Sequence, residues 1–205
     1  MKKIPSSQHT KAGKGVILIP DIVGYTRFVR NTDVATGRNI TYELLSSIIE
    51  SNLLSLEVAE IEGDAIFFYR HGVPPSPEAI LLQYEVMLFA FHNKLEELNE
   101  RFDQQIDLSL KLVAHYGPIA TYNIGGFKKL YGETVIEAHR LLKNSVNSHS
   151  YALITDELIA AASVADSSYA QAGQGGKLCE VFDGTRNICF TWFDYGSVNL
   201  TGMAV

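Results

Sequence analysis

Two carboxylates stand where a chain of this kind could do chemistry. Asp21 follows the apolar, β-branched run Gly15-Val-Ile-Leu-Ile-Pro, and Asp64 sits in Glu62-Gly63-Asp64 between two further apolar runs. A strand end and a hairpin turn both place side chains at the edge of a sheet, where carboxylates stay hydrated. Two of them meeting there repel unless a divalent cation lies between them. Magnesium suits such a site, because it takes oxygen ligands and is commonly held by one or two carboxylates together with substrate phosphates. Taken singly, Asp21 reads as a turn cap and Asp64 as a turn former.

The elements that must position them follow from the apolar pattern. Residues 15–22 read as a buried strand. A helix is expected over 34–52, capped by Thr32 or Asp33, with Ile40, Leu44, Ile48 and Leu53 as its apolar stripe. Residues 56–61 and 65–69 form a hairpin across Gly63. The strongest helical pattern covers 77–102, where Ile80, Tyr84, Leu88, Phe91, Leu95, Leu98 and Phe102 recur at three- and four-residue steps. A second hairpin is expected for 108–116 and 119–124, turning at Gly117-Pro118. Gly125, Gly126 and Gly132 mark a mobile loop, and a helix follows over 133–145. A short strand (151–155), a short helix (156–163), a loop (166–176) and a last hairpin (177–182 and 186–194, turning at Asp183-Gly184) complete the chain. The aromatic run Phe67, Phe68 and Tyr69 reads as strand core or dimer contact. Residues 1–14 are expected to be a flexible arm, 15–195 a single domain and 196–205 a loose tail. This order of elements suits an α+β fold with a mostly antiparallel sheet and helices packed on one face.

Composition bounds the function. The 205 residues are 46% hydrophobic and 20% charged, as in ordinary globular proteins, and 17 basic against 23 acidic residues give a net charge of −6. A general nucleic-acid binder needs a basic surface to displace counterions, so none is expected. No run of about 18 apolar residues suggests a membrane span. The polar start lacks the apolar core of a signal peptide, which points to the cytoplasm. Cys179 and Cys189 face each other across the last hairpin and are expected to be reduced in that compartment. The scattered histidines show no zinc spacing. His115 and His139 read as packing or surface residues.

Three strings then resemble the motifs of class III nucleotide cyclases, in the family's order. Pro20-Asp-Ile-Val-Gly-Tyr-Thr-Arg-Phe28 is similar to the opening motif. Ala59-Glu-Ile-Glu-Gly-Asp-Ala65 is similar to the second, which ends in Gly-Asp on a hairpin. Leu130-Tyr-Gly-Glu-Thr-Val-Ile-Glu-Ala-His-Arg140 resembles the family's catalytic helix start. The resemblance implies a ferredoxin-like core and a head-to-tail homodimer with shared active sites. The reaction it implies is attack of the ribose 3′-oxygen of GTP or ATP on the α-phosphate, with pyrophosphate leaving. Two Mg2+ or Mn2+ ions would lower the 3′-OH pKa and neutralise the triphosphate. Asp21 and Asp64 match the metal-binding aspartates, and the Ile22 carbonyl matches a backbone ligand. Arg140, supplied by the other subunit, matches the arginine that offsets charge at the α-phosphate. Glu60 matches the purine-reading position, and Lys129 lies where its companion stands. As Glu and Lys they suit guanine, or they form a plain salt bridge across the interface, or are two solvated charges. A one-residue shift of the loop exchanges Lys128 for Lys129.

Two departures bear on turnover. The family's ribose-holding Asn is Ile136 here, four residues before Arg140, so either an open pocket lacks an amide or Ile136 packs into the core. The late lysine-rich turn that contacts the terminal phosphates retains only Arg186. A catalytically silent cyclase fold, acting as a nucleotide sensor or protein-interaction module, is therefore the alternative to a slow enzyme.

Overall fold

A computed structural model describes residues 11–162, 174–181 and 186–196. Strand β1 spans Lys11–Val23, and the short helix α1 (Tyr25–Asn31) and the longer α2 (Val34–Glu50) follow. The β2 (Glu57–Glu62) and β3 (Ala65–His71) hairpin leads into α3 (Pro77–Phe102). Strands β4 (Ser109–Ile124) and β5 (Phe127–Tyr131) precede α4 (Glu133–Leu141). Strand β6 (Tyr151–Thr155), helix α5 (Asp156–Ala161) and the hairpin β7 (Gln174–Val181) and β8 (Asn187–Asp194) complete the described residues. The sheet runs β2-β3-β1-β4-β6-β8-β7, with β5 pairing β4 off that path. Its pairs are antiparallel except β4 with β6, which a crossover through α4 makes parallel.

The architecture is the mixed α+β arrangement expected from the element order, except that α4 packs on the second face of the sheet where all helices were expected on one. Alternation along β1 sorts its side chains between two cores. Val16, Leu18 and Ile22 join α2, α3 and α5 in the larger one. Ile17 and Ile19 face Phe67, Val113, Ala138 and Leu141 in the smaller one, which α4 covers from the opposite side of the sheet. Phe67, Phe68 and Tyr69 are all buried strand residues. The α3 stripe is buried from Ile80 to Leu98, and the Tyr84 hydroxyl donates to the Leu110 carbonyl at 2.7 Å. No helix among the described residues is long and apolar enough to cross a membrane.

The N-cap of α2 is Asp33, whose side chain accepts from the Ala35 and Thr36 amides at 3.1 and 3.0 Å. Thr32 lies outside this cap. Asp33→Ala is expected to lower stability, read as a reduced midpoint in urea denaturation. Leu53, read as the end of the α2 stripe, is exposed instead, because the helix ends at Glu50.

Several local expectations are corrected by long-range pairing. Strand β1 begins at Lys11, within the segment read as an arm; residues 1–10 lie outside the described residues. Residues 109–124 are not a hairpin but one strand, running straight through Gly117-Pro118 and pairing with β1 from Lys11↔Thr121 to Val23↔Ser109. Strand β6 pairs only with 112–114 and β5 only from 120 onward, so β4 has no described second neighbour at Pro118. A residue without an N–H is tolerated at such a position. The true hairpin joins β4 to β5 through Gly125 and Gly126, both at positive φ, where a mobile loop was expected. Helix α4 ends at Leu141, short of 145.

The cysteine expectation is also overturned: Cys179 and Cys189 form a disulfide. They stand directly opposite in the antiparallel β7–β8 register, where side chains approach most closely. The turn expected at 183–184, most of the 166–176 loop and the tail beyond 196 lie outside the described residues.

Candidate functional site

Asp21 stands near the end of β1, opposite Ala65 on β3 and Lys111 on β4. By alternation it shares the face of Ile17 and Ile19, the side that α4 covers. Asp64 sits in the β2–β3 turn directly after Gly63, whose φ of 62° is the conformation that favours glycine. The Ile22 amide donates to the Asp64 carbonyl at 3.4 Å, tying this turn to the end of β1. Asp21, Ile22 and Asp64 thereby line one cleft of about 780 Å³, together with Lys111, His139 and Lys143.

The cleft brings two carboxylates together with the basic side chains of Lys111 and Lys143. Burial, and then the neighbouring Asp21 charge, push the Asp64 carboxyl up to about 6, while Lys111 and Lys143 pull weakly the other way. Lys111 Nζ lies 3.1 Å from Asp21 Oδ2. A hard divalent cation fits this donor set, with both carboxylates and the Ile22 carbonyl as the groups that would hold it. Glu60, Glu62 and His139 also bring ligand atoms within 4.8 Å of one another. Glu60, however, is already paired with Lys129.

Glu60 and Lys129 form an ion pair within one chain, linking β2 to β5. The neighbouring Lys128 instead meets Glu57 at 2.6 Å, and Glu57 also accepts from the Tyr69 hydroxyl at 2.8 Å. The β4–β5 register thus separates the two lysines: Lys129 is the partner of Glu60.

Arg140 lies on the last turn of α4, half-buried, and Ile136 lies one turn earlier and 54% exposed. Ile136 is therefore not a core residue. Arg186 belongs to the other end of α4. Its Nε donates to Glu137 Oε1 at 2.8 Å, and it also pairs with Glu157. It lines a separate cleft of about 530 Å³ with Glu133 and Thr134, so one chain does not bring Arg186 to Asp21.

Two features escaped the reading of the sequence. Lys111 alternates with Leu110 and Leu112, a period-two signal for a polar side chain on the α4 face. His115 is fully buried, with Nε2 2.9 Å from Glu137 Oε2 and Nδ1 2.9 Å from the Thr155 hydroxyl. Its signal was Glu137 itself, a carboxylate in the buried helical stripe Thr134, Glu137, Ala138 and Leu141. The Glu137 carboxyl is held below the usual range, first by His115 and then by Arg186.

Comparison with known proteins places this geometry in context. The guanylyl cyclase Cya2 superposes with a TM-score of 0.67 at 15% identity, over 89% of this chain and 91% of that one. A class III adenylyl cyclase-like ATP-binding protein from Pseudomonas aeruginosa gives 0.57 at 19% identity, over 72% of this chain and 34% of that one. The fold is thus that of nucleotide cyclase domains. An uncharacterized protein of Mycobacterium tuberculosis, Rv2561/Rv2562, is 31% identical over 121 residues, 56% of each chain, so this chain spans little more than half of that relative's length. Residues 41–151, more than half of the chain, match the family described as a protein of unknown function, DUF2652, and the chain belongs to that family.

Proposed function

We propose that this protein binds a purine nucleoside triphosphate with Mg2+ or Mn2+ as a head-to-tail homodimer and converts it slowly to a 3′,5′-cyclic nucleotide and pyrophosphate. The observation that carries this reading is the convergence of Asp21 and Asp64 in one cleft, where burial, and then the charge of Asp21, raises the Asp64 carboxyl. The metal ions would lower the pKa of the ribose 3′-OH and neutralise the triphosphate. Asp21, Asp64 and the Ile22 carbonyl would hold the ions. Arg140 of the second subunit offsets charge at the α-phosphate as the bond from O3′ to phosphorus forms and the bond to the leaving pyrophosphate breaks. Glu60 accepts from guanine N–H groups once the base displaces part of its bond to Lys129, which then donates to O6.

A second copy is supported by exposed apolar side chains. Val58 and Ile61 on β2, and Ile124, Phe127 and Tyr131 around the β4–β5 hairpin, are exposed on elements joined by the Glu57–Lys128 and Glu60–Lys129 pairs. The exposed Ile136 favours the second reading, a catalytically silent nucleotide-binding module, since it offers the ribose no hydrogen bond.

One experiment separates the two. The protein is incubated with each nucleoside triphosphate and Mn2+, and product is read by mass spectrometry. The expected result is cyclic product and pyrophosphate, with GTP ahead of ATP. Ile136→Asn is expected to raise the rate about fivefold, the worth of roughly one hydrogen bond, at unchanged melting temperature because the side chain is exposed. No product from either protein, with nucleotide still bound, would leave the silent module.

A further inference from the structure

The Asp21–Asp64 cleft holds a cation of its own. Lys111 stands opposite Asp21 in the β1–β4 register. Its Nζ lies 3.1 Å from Asp21 Oδ2 and donates to the Leu142 carbonyl at 2.9 Å, just beyond α4. The two side chains are only 15% and 16% exposed. The ammonium is therefore held from two sides, by the sheet and by the end of the α4 segment, in a place largely shielded from water. It lies against one of the carboxylate oxygens, Asp21 Oδ2, that a divalent ion would use.

We propose that Lys111 is a built-in counter-cation that a divalent metal must displace from Asp21, so that it weakens the binding of free metal and favours metal arriving with phosphate. This rests on the metal-binding reading above. A metal ion at this carboxylate meets the opposing charge of the ammonium beside it. The two cations repel across one carboxylate in a place shielded from water, so a bound metal drives the ammonium away. A triphosphate entering with the metal offers it a new anionic partner, whereas a bare ion leaves it half-buried beside a second cation. Lys111 is thus a positioning residue. It touches the metal ligand, and its removal should move the affinities for metal alone and for metal–nucleotide in opposite directions.

Calorimetric titration of the full chain at pH 8, where Asp64 is ionised, tests this. Lys111→Met and Lys111→Gln are expected to bind Mn2+ alone about tenfold or more tightly than the wild type, and to bind Mn2+–GTP, with metal in excess, more weakly. Equal Mn2+ affinities in folded variants and wild type would overturn the role of Lys111 and leave the metal reading standing. Tightening of both ligands would overturn the transfer of the ammonium to phosphate. Absence of Mn2+ binding in all three proteins would overturn the metal reading itself. Should both variants unfold, the wild type decides. The side-chain resonance of Lys111 next to Nζ, assigned with Lys111→Arg, is expected to shift on saturation with Mg2+, and an unmoved resonance at saturation would overturn the proposal.

Discussion

Glu137→Ala is expected to destabilise the fold by about 3 kcal/mol, seen as a lowered urea midpoint with an unchanged slope. Glu137 is 3% exposed and His115 is fully buried. Removing the carboxylate leaves His115 Nε2 without its acceptor inside the smaller core and opens a cavity beneath α4. An unsatisfied buried polar group costs about 1–3 kcal/mol, and the cavity adds to it. Arg186 contributes little to the loss because it is half-exposed and retains Glu157. Glu137→Gln keeps the shape and one acceptor oxygen, and should cost about half as much.

The same carboxylate gives a pH signature. Its folded pKa lies below the ordinary Glu value, so its contribution is fully present above that ordinary value. It is lost as the pH falls below about 4.5 and through the folded pKa. Wild-type stability should therefore fall more steeply with acid than that of Glu137→Gln. Parallel acid limbs for the two proteins would mean that the network does not hold the charge as described.

Asp64→Asn is expected to act in two opposite ways. Without metal at pH 7 it should stabilise the protein by about 1–3 kcal/mol, because it removes a carboxylate that burial and Asp21 disfavour in its charged form. The sign follows from the raised folded pKa. The folded state binds this proton more tightly than the unfolded chain, so its stabilising contribution is complete below about pH 4 and vanishes as the pH rises through about 6. Above that, charged Asp64 is a cost. Urea denaturation across pH 4–7 should show wild-type stability falling relative to Asp64→Asn. With Mn2+ present the order should reverse: the metal stabilises the wild type by mass action and the variant little or not at all. A variant that matches the wild type both in its pH profile and in its response to Mn2+ would remove Asp64 from the site.

These two results divide along the line between what local sequence specifies and what it does not. The element types of β1, α2, the β2–β3 hairpin and α3 were legible because alternation, the three-to-four-residue stripe, a capping Asp and a Gly-containing turn are contained within short stretches of chain. Asp21 and Asp64 were legible as candidates for the same reason: one ends a strand, the other follows the turn glycine, and the two strands are neighbours in the sheet. The motif strings carried the fold further than any single pattern, since their order constrains the topology as well as the elements.

Other features depend on register between segments far apart in the chain, and local pattern carries no information about it. Gly117-Pro118 looks like a turn until β1 runs alongside it. Cys179 and Cys189 become a disulfide only when the β7–β8 register sets them directly opposite. Lys111 is one polar residue in an apolar strand until pairing places it on Asp21. Glu137 and His115 are 22 positions apart and on different elements, so only the packing of α4 onto β4 turns two residues that are individually costly to bury into a satisfied network. Local pattern marks the residues that can carry charge to the sheet edge. Which charges meet is set by the assembled sheet, because pairing energies depend on distances of a few ångströms that only strand register and helix packing define.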